Sequence, residues 1–216
     1  MKTAIILDLD GTILNTLDDL CDSVNAALEK NGFPLRTIDE VRNFVGNGAK
    51  NLIIRSLGDN ANDENIEKTL SDFKAHYETN KTNKTAPYDG MLEALDKLHA
   101  SGCKLAIVSN KHDDAVQGLY KQFFSDTCDF ALGNCDFLPK KPAPDMILYA
   151  LEKIGKTAED AVYIGDSEVD VTTAKNTGIP CISVSWGFRD RDVLKAAGAE
   201  IIVDTSDELL TAIKNL

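Results

Sequence analysis

At 216 residues and 43% hydrophobic content, the chain can bury a sizeable core, as one mid-sized domain or as a core with a smaller insert. A net charge of −12 with no Lys/Arg cluster repels polyanions at long range and argues against DNA or RNA as a partner. Five scattered cysteines without a Cys-x-x-Cys pair indicate neither a disulfide framework nor a zinc site. No run approaches membrane-spanning length, and Ala4-Ile5-Ile6-Leu7 is too short for a signal core, so a cytoplasmic protein without a membrane partner is expected.

The first predicted strand covers residues 3–8 and runs into Asp8-Leu9-Asp10-Gly11-Thr12. Side chains alternate along a strand, so Asp8 and Asp10 point the same way where it ends. Gly11 lets the backbone turn, and the Thr12 hydroxyl and following amides can donate to an anion. Such a place suits a phosphate beside a metal ion. Residues 16–79 carry no β-branched run and read as helices only, at 17–30, after the capping box Thr37-Ile38-Asp39-Glu40, at 49–57 and at 62–79. Asn80-Lys81-Thr82 and Asn83-Lys84-Thr85 match the glycosylation pattern. Without a secretion route they read as a polar linker, and residues 80–86 have hinge-like composition.

From residue 88 onward, strand-like runs at 104–108, 130–132, 161–164, 181–184 and 201–203 alternate with helical spacing. The helical stretches are 90–100, 113–120, 143–154, 169–177, 190–197 and 207–215, several of them closed by Gly102, Gly155, Gly178 or Gly198. This pattern predicts an α/β fold with a doubly wound parallel sheet. Residues 1–15 and 86–216 would form the core, and residues 16–85 an inserted all-helical cap acting as a lid over the strand end that carries Asp8.

Three further polar clusters sit at strand ends or helix starts: Ser109-Asn110-Lys111, Lys140-Lys141-Pro142-Ala143-Pro144-Asp145 and Gly165-Asp166-Ser167-Glu168-Val169-Asp170. Ligands of open parallel sheets bind at the carboxyl ends of the strands near the switch point, so these clusters should converge with Asp8 and Asp10. Each alone has a plainer reading: Ser109 and Asp166 as helix caps, Lys141 as a solvated charge, Asp170 as a first-turn acid. His76, His99, His112 and Trp186 read as ordinary surface or cap residues.

In this order and spacing the four clusters resemble the four motifs of the haloacid dehalogenase superfamily of phosphohydrolases, over essentially the whole chain. The resemblance implies a Rossmann-like core with a first-type helical cap. Val45-Gly46-Asn47-Gly48-Ala49, with the helix up to Arg55, is similar to the cap loop of phosphoglycolate phosphatase-like members. Asn15 departs from the pattern, since many relatives carry an acid there, and a structural effect is expected.

Phosphate monoesters hydrolyse slowly because an anionic ester resists anionic attack, so charge must be neutralised. The expected cofactor is Mg²⁺, held by the carboxylates of Asp8 and Asp166 and, as the resemblance implies, by the Asp10 carbonyl, with Asp170 steadying that set. Asp8 would be the nucleophile, forming an aspartyl phosphate, and Asp10 the acid and then the base. Lys141, preferred to Lys140 because Pro142-x-Pro144 follows it as in the family pattern, and Ser109 would stabilise the phosphoryl oxygens. Thr12 and Asn110 would add donors, with Lys111 and Arg189 as neighbours. From the cap, Gly46, Asn47, Gly48 and Arg55 would contact the substrate. The expected activity is hydrolysis of a small phosphate monoester, 2-phosphoglycolate among the candidates. A sugar phosphomutase, a pyrophosphatase and a non-catalytic phosphate-binding module stay open, as does monomer against homodimer; an acid at Asp10 argues against dehalogenase and phosphonate-cleaving relatives.

Overall fold

The computed structural model describes residues 2–216. Its elements are, in chain order, β1 (Ala4–Leu7), β2 (Leu14–Asn15), α1 (Leu17–Lys30), α2 (Ile38–Phe44), α3 (Ala49–Leu57), α4 (Asp63–Asn80), β3 (Ala86–Pro87) and α5 (Met91–Ala100). There follow β4 (Lys104–His112), α6 (Asp113–Phe123), β5 (Phe130–Asn134), α7 (Asp145–Lys153), β6 (Ala161–Gly165), α8 (Glu168–Thr177), β7 (Cys181–Val184), α9 (Arg191–Ala196), β8 (Ile201–Val203) and α10 (Ser206–Lys214). Two compact units result, one of Met1–Leu14 with Pro87–Leu216, the other of Asn15–Ala86. The chain leaves and re-enters the larger unit at β2 and β3, which pair as a two-stranded ladder. No helix among the described residues is long and apolar enough to cross a membrane.

In the larger unit six strands lie in the order β5-β4-β1-β6-β7-β8, and the pairings along this sheet are parallel. All four residues of β1 are buried, as befits a strand covered on both faces. Alternation sends Ile5 and Leu7 into a cluster with Met91, Leu95, Val116 and Ile213, which puts α5, α6 and α10 on that face. Ala4 and Ile6 join Met146, Ile147, Ala150 and Ala174, so α7 and α8 cover the other face. Truncating Ile5 or Ile6 to Ala would leave a cavity and cost about 2–5 kcal/mol. Ala4 of β1 stands opposite Lys104 of β4 and Ala161 of β6, so the strand order reverses at β1. The carboxyl end of β1 is therefore the switch point, and Asp8 follows it directly.

The smaller unit is all helical. Leu20, Val24, Ala27 and Leu28 bury one stripe of α1, and α4 contributes Phe73 and Tyr77, whose rings stack with centroids 5.5 Å apart. The Thr37 capping box forms as expected, with the Glu40 amide donating to Thr37 Oγ1 at 3.3 Å and the Thr37 amide to Glu40 Oε2 at 2.8 Å. Asn15 has a structural part: its Oδ1 accepts the Leu17 amide at 3.3 Å, where α1 begins.

Three local expectations change. Residues 80–86 are not a loose tether, because the buried carboxylate of Asp19 accepts the Lys84 amide at 3.0 Å and the Thr85 amide at 2.8 Å. Strand β4 does not stop at Val108; it continues to His112 through a shift of register that keeps Ser109, Asn110 and Lys111 within the strand. Helix α7 opens at Asp145, after Pro144 in the N-cap position, two residues later than the periodicity suggested.

Candidate active site

Beyond β1 the chain folds into a tight loop in which the Leu9 carbonyl accepts the amides of Thr12, Ile13 and Leu14 at 3.3, 3.1 and 3.0 Å. The turn needs glycine at position 11, which has φ 81° and where a Cβ would lie 2.3 Å from Asp166 Oδ2. Thr12 differs from expectation. Its side chain is wholly buried, and its hydroxyl donates to Asp166 Oδ1 at 3.3 Å, a brace for that carboxylate. Both carboxylate oxygens of Asp10 accept from Lys111 Nζ, at 2.8 and 2.9 Å, on a lysine side chain only 7% exposed.

Lys141 is the hub. Its ammonium is 2% exposed and lies 2.9 Å from Asp8 Oδ1, 2.9 Å from Asp170 Oδ1 and 2.7 Å from the Tyr163 hydroxyl, whereas Lys140 is exposed. Burial alone would lower the Lys141 pKa, but Asp170 and Asp8 outweigh it and hold the amine protonated. Asn110 Nδ2 donates to the Lys141 carbonyl at 3.1 Å, which ties β4 to this segment. Ser109 is buried on the same strand, and its Oγ accepts the Lys111 amide at 3.3 Å.

Both oxygens of Asp170 are engaged. Oδ1 accepts from Lys141 and Tyr163, each at 2.9 Å, while Oδ2 accepts from Ser167 Oγ at 2.6 Å and the Ser167 amide at 3.1 Å, as the capping box of α8. Ser167, not Asp166, is thus the N-cap residue. Asp166 Oδ2 accepts the Phe188 amide at 2.7 Å. That approach requires Gly187, since a Cβ there would stand 2.3 Å from the Asp166 Cβ and 2.4 Å from the Gly11 carbonyl oxygen.

The electrostatics follow from burial. Desolvation raises the Asp8 pKa to about 7 against the pull of Lys141, with Asp170 and Asp10 adding to the rise. Burial, then Asp170 and Asp8, push Asp166 well up as well. Asp170 goes the other way: burial opposes ionisation, but Lys141, Ser167 and Tyr163 together hold it low. Oxygens of Asp8, Asp166 and Asp170 come within 4.8 Å of one another, and Asp8 Oδ1 is buried without a well-aligned hydrogen bond despite its nearness to Lys141. One lysine does not balance three carboxylates. An all-oxygen set with surplus negative charge fits a hard divalent cation such as Mg²⁺, which would remove the penalty raising Asp8 and Asp166.

The remaining expected residues lie in the smaller unit. Gly46, Asn47 and Gly48 form the turn between α2 and α3. Arg55, exposed on α3, donates from Nη1 to the Phe44 carbonyl at 2.8 Å. Sequence reasoning missed Tyr163, which reads as one apolar residue in a buried strand, and the segment from Trp186 to Phe188, naming only Arg189 beyond it as a neighbour. Trp186, given no role, donates from Nε1 to the Thr12 carbonyl at 3.0 Å, and Arg189 pairs with Glu168 at 2.9 Å. The one local signal for that segment was its place directly after a strand at the functional edge of the sheet.

Residues 5–184 match the family model described as haloacid dehalogenase-like hydrolase. A phosphoglycolate phosphatase of Colwellia psychrerythraea is 32% identical over 99% of this chain and 97% of its own length. One of Mesorhizobium japonicum is 33% identical, covering 93% and 90% respectively. Among solved structures, a candidate phosphoglycolate phosphatase of Lactobacillus delbrueckii subsp. bulgaricus superposes with a TM-score of 0.94 at 36% identity, over 99% of both chains. With four acidic and basic clusters gathered at the switch point of a doubly wound sheet, and relatives matching from end to end, the chain belongs to the haloacid dehalogenase-like hydrolase family.

Proposed function

We propose that the protein is a Mg²⁺-dependent phosphatase that hydrolyses a small phosphate monoester through an aspartyl phosphate, and that 2-phosphoglycolate is its substrate. The observation that carries this reading is the buried cluster in which Lys141 meets Asp8 and Asp170 while Asp166 faces the same point. The substrate is suggested by the relatives, which bear the name phosphoglycolate phosphatase.

Asp8 and Asp166 would hold the cation, with the Asp10 carbonyl, and Asp170 would steady it through its fixed contacts. When bound, Mg²⁺ supplies positive charge that favours the ionised form of Asp8 and offsets that of the phosphoryl oxygens. Asp8 attacks phosphorus and takes the phosphoryl group. Asp10 delivers a proton to the leaving oxygen as its bond to phosphorus breaks, and later removes one from the water that attacks phosphorus, which frees Asp8 and inorganic phosphate. Lys141 and Ser109 donate to the phosphoryl oxygens as charge develops on them, and Asn110 keeps the Lys141 backbone in register. The smaller unit would serve as a cap, with Gly46, Asn47, Gly48 and Arg55 contacting the part of the substrate that is not phosphate. Phosphate release should be measured from p-nitrophenyl phosphate and from 2-phosphoglycolate, in Mg²⁺ and in excess chelator. Release from both in Mg²⁺ alone is expected; no release from either ester would overturn the reading.

A further inference from the structure

Tyr163 stands in the fully buried strand β6, with no exposure to solvent, and belongs to the core cluster that includes Ala4, Ile6, Val108 and Met146. Its hydroxyl meets two charged groups. It accepts from Lys141 Nζ at 2.7 Å and donates to Asp170 Oδ1 at 2.9 Å, and Lys141 itself donates to that same Asp170 oxygen at 2.9 Å. Lys141, Tyr163 and Asp170 thus close a triangle of hydrogen bonds. An ammonium has three N–H groups on a stem of four rotatable carbons, so nothing intrinsic to lysine aims it. Two of the three are taken within the triangle, and the Asp8 oxygen lies 2.9 Å from the same nitrogen. Those two bonds fix where the ammonium stands beside Asp8 Oδ1, which it approaches without the alignment of a hydrogen bond.

We infer that Tyr163 is a positioning residue for the reaction: by occupying one N–H of Lys141, it holds the ammonium in place beside Asp8 and the phosphoryl group transferred to it. The inference rests on the phosphatase reading above, in which Lys141 stabilises the phosphoryl oxygens. Tyr163 holds no substrate atom and acts through the lysine. A phenol suits this task because its oxygen accepts from the ammonium while its own proton goes to Asp170, so neither of its buried polar functions is stranded. Phenylalanine would fill the same space, keep the packing and leave Lys141 paired with two carboxylates, but free to swing about the axis that the phenol now blocks.

The experiment compares Tyr163→Phe, Lys141→Met and the double variant in steady-state hydrolysis of p-nitrophenyl phosphate, with the Mg²⁺ half-saturation and the thermal midpoint measured for each. Tyr163→Phe should lower kcat about 10- to 100-fold, with KM and Mg²⁺ half-saturation within about threefold of the parent and a midpoint within a few degrees. Lys141→Met should lower kcat further, and adding Tyr163→Phe to it should cost nothing more, because a residue acting through the lysine has nothing to hold once the ammonium is gone. A merely structural tyrosine would move the midpoint and multiply its loss onto that of Lys141→Met; that result would overturn the inference. So would a Tyr163→Phe enzyme retaining more than half its turnover, or one whose loss is recovered by raising Mg²⁺, which would place the effect in Asp170. Should Lys141→Met itself remain active, the assignment of Lys141 fails, and with it the reading beneath; a crippled Lys141→Met beside a normal Tyr163→Phe overturns the inference alone.

Discussion

Asp8 is a carboxylate placed where ionisation is costly and cations are close, and the nearly isosteric change Asp8→Asn separates those two aspects. Asparagine removes the charge and the nucleophile yet keeps the shape, so the variant should stay folded while turnover falls by about three orders of magnitude or more. Residual activity above about a tenth of the parent would show that Asp8 is not the nucleophile. Gly11→Ala makes the opposite demand, on backbone and space. A φ of 81° and a Cβ 2.3 Å from Asp166 Oδ2 require either the loop or Asp166 to move, and a loss of about 2–4 kcal/mol is expected in a urea titration, together with weaker Mg²⁺ binding by calorimetry. An alanine variant with parental stability and affinity would mean that the loop relaxes freely. At this scale the sequence was readable where chemistry comes in short local strings: Asp8 with Asp10, Lys141 before Pro142, and Asp166 with Asp170. It was opaque where a role depends on a partner far along the chain. Thr12 and Asp166 are separated by 154 residues, and nothing local announces that the hydroxyl turns toward that carboxylate instead of an anion. Lys111, read only as a neighbour, likewise acquires its meaning from a partner 101 residues away, the carboxylate of Asp10.

Helices and strands were legible where the apolar period was clear, as in α1, α3 and β7, or where a capping box stood in the sequence, as at Thr37, because those signals are local. The boundaries that moved did so for tertiary reasons. Polar Ser109, Asn110 and Lys111 read as the end of a strand, yet β5 supplies a ladder that carries β4 through to His112, which stands opposite Asn134. The polar stretch after α4 reads as a hinge by composition, and composition says nothing about Asp19, whose carboxylate lies 65 residues away and gathers the amides of Lys84 and Thr85. Asp19 is 2% exposed, so its truncation leaves the buried Thr85 amide and the part-buried Lys84 amide without their acceptor. Asp19→Ala is accordingly expected to cost about 2–4 kcal/mol and to raise hydrogen exchange at Lys84 and Thr85 ahead of the rest of the chain. Unchanged protection of those two amides would show that the segment is held by something other than this carboxylate.

The proposed function assigns the two units of the molecule different parts. The larger unit carries the acidic cluster and the smaller a surface that differs chemically, so the two should answer to different tests. Turnover on any ester should vanish in excess chelator and return with Mg²⁺, and Ca²⁺ should replace it poorly, since its larger radius and looser coordination would misplace Asp8 relative to phosphorus. Full activity with chelator would contradict a cation in that cluster. Selectivity should respond to Arg55. Its guanidinium has five N–H donors, of which the bond to the Phe44 carbonyl uses one, and a planar fork of this kind matches a carboxylate in a way that lysine does not. The plainer alternative is that Arg55 only closes the turn between α2 and α3, where that carbonyl ends the helix. The two roles predict different patterns on two substrates. A contact to the substrate carboxylate is worth about 2–4 kcal/mol in a closed, partly dry site, so Arg55→Ala should depress kcat/KM for 2-phosphoglycolate by roughly 30- to 1000-fold. It should leave p-nitrophenyl phosphate, which has no carboxylate, nearly untouched. A turn-closing role would lower the thermal midpoint and reduce both activities in proportion, and equal losses on the two esters, or none on either, would remove Arg55 from substrate recognition.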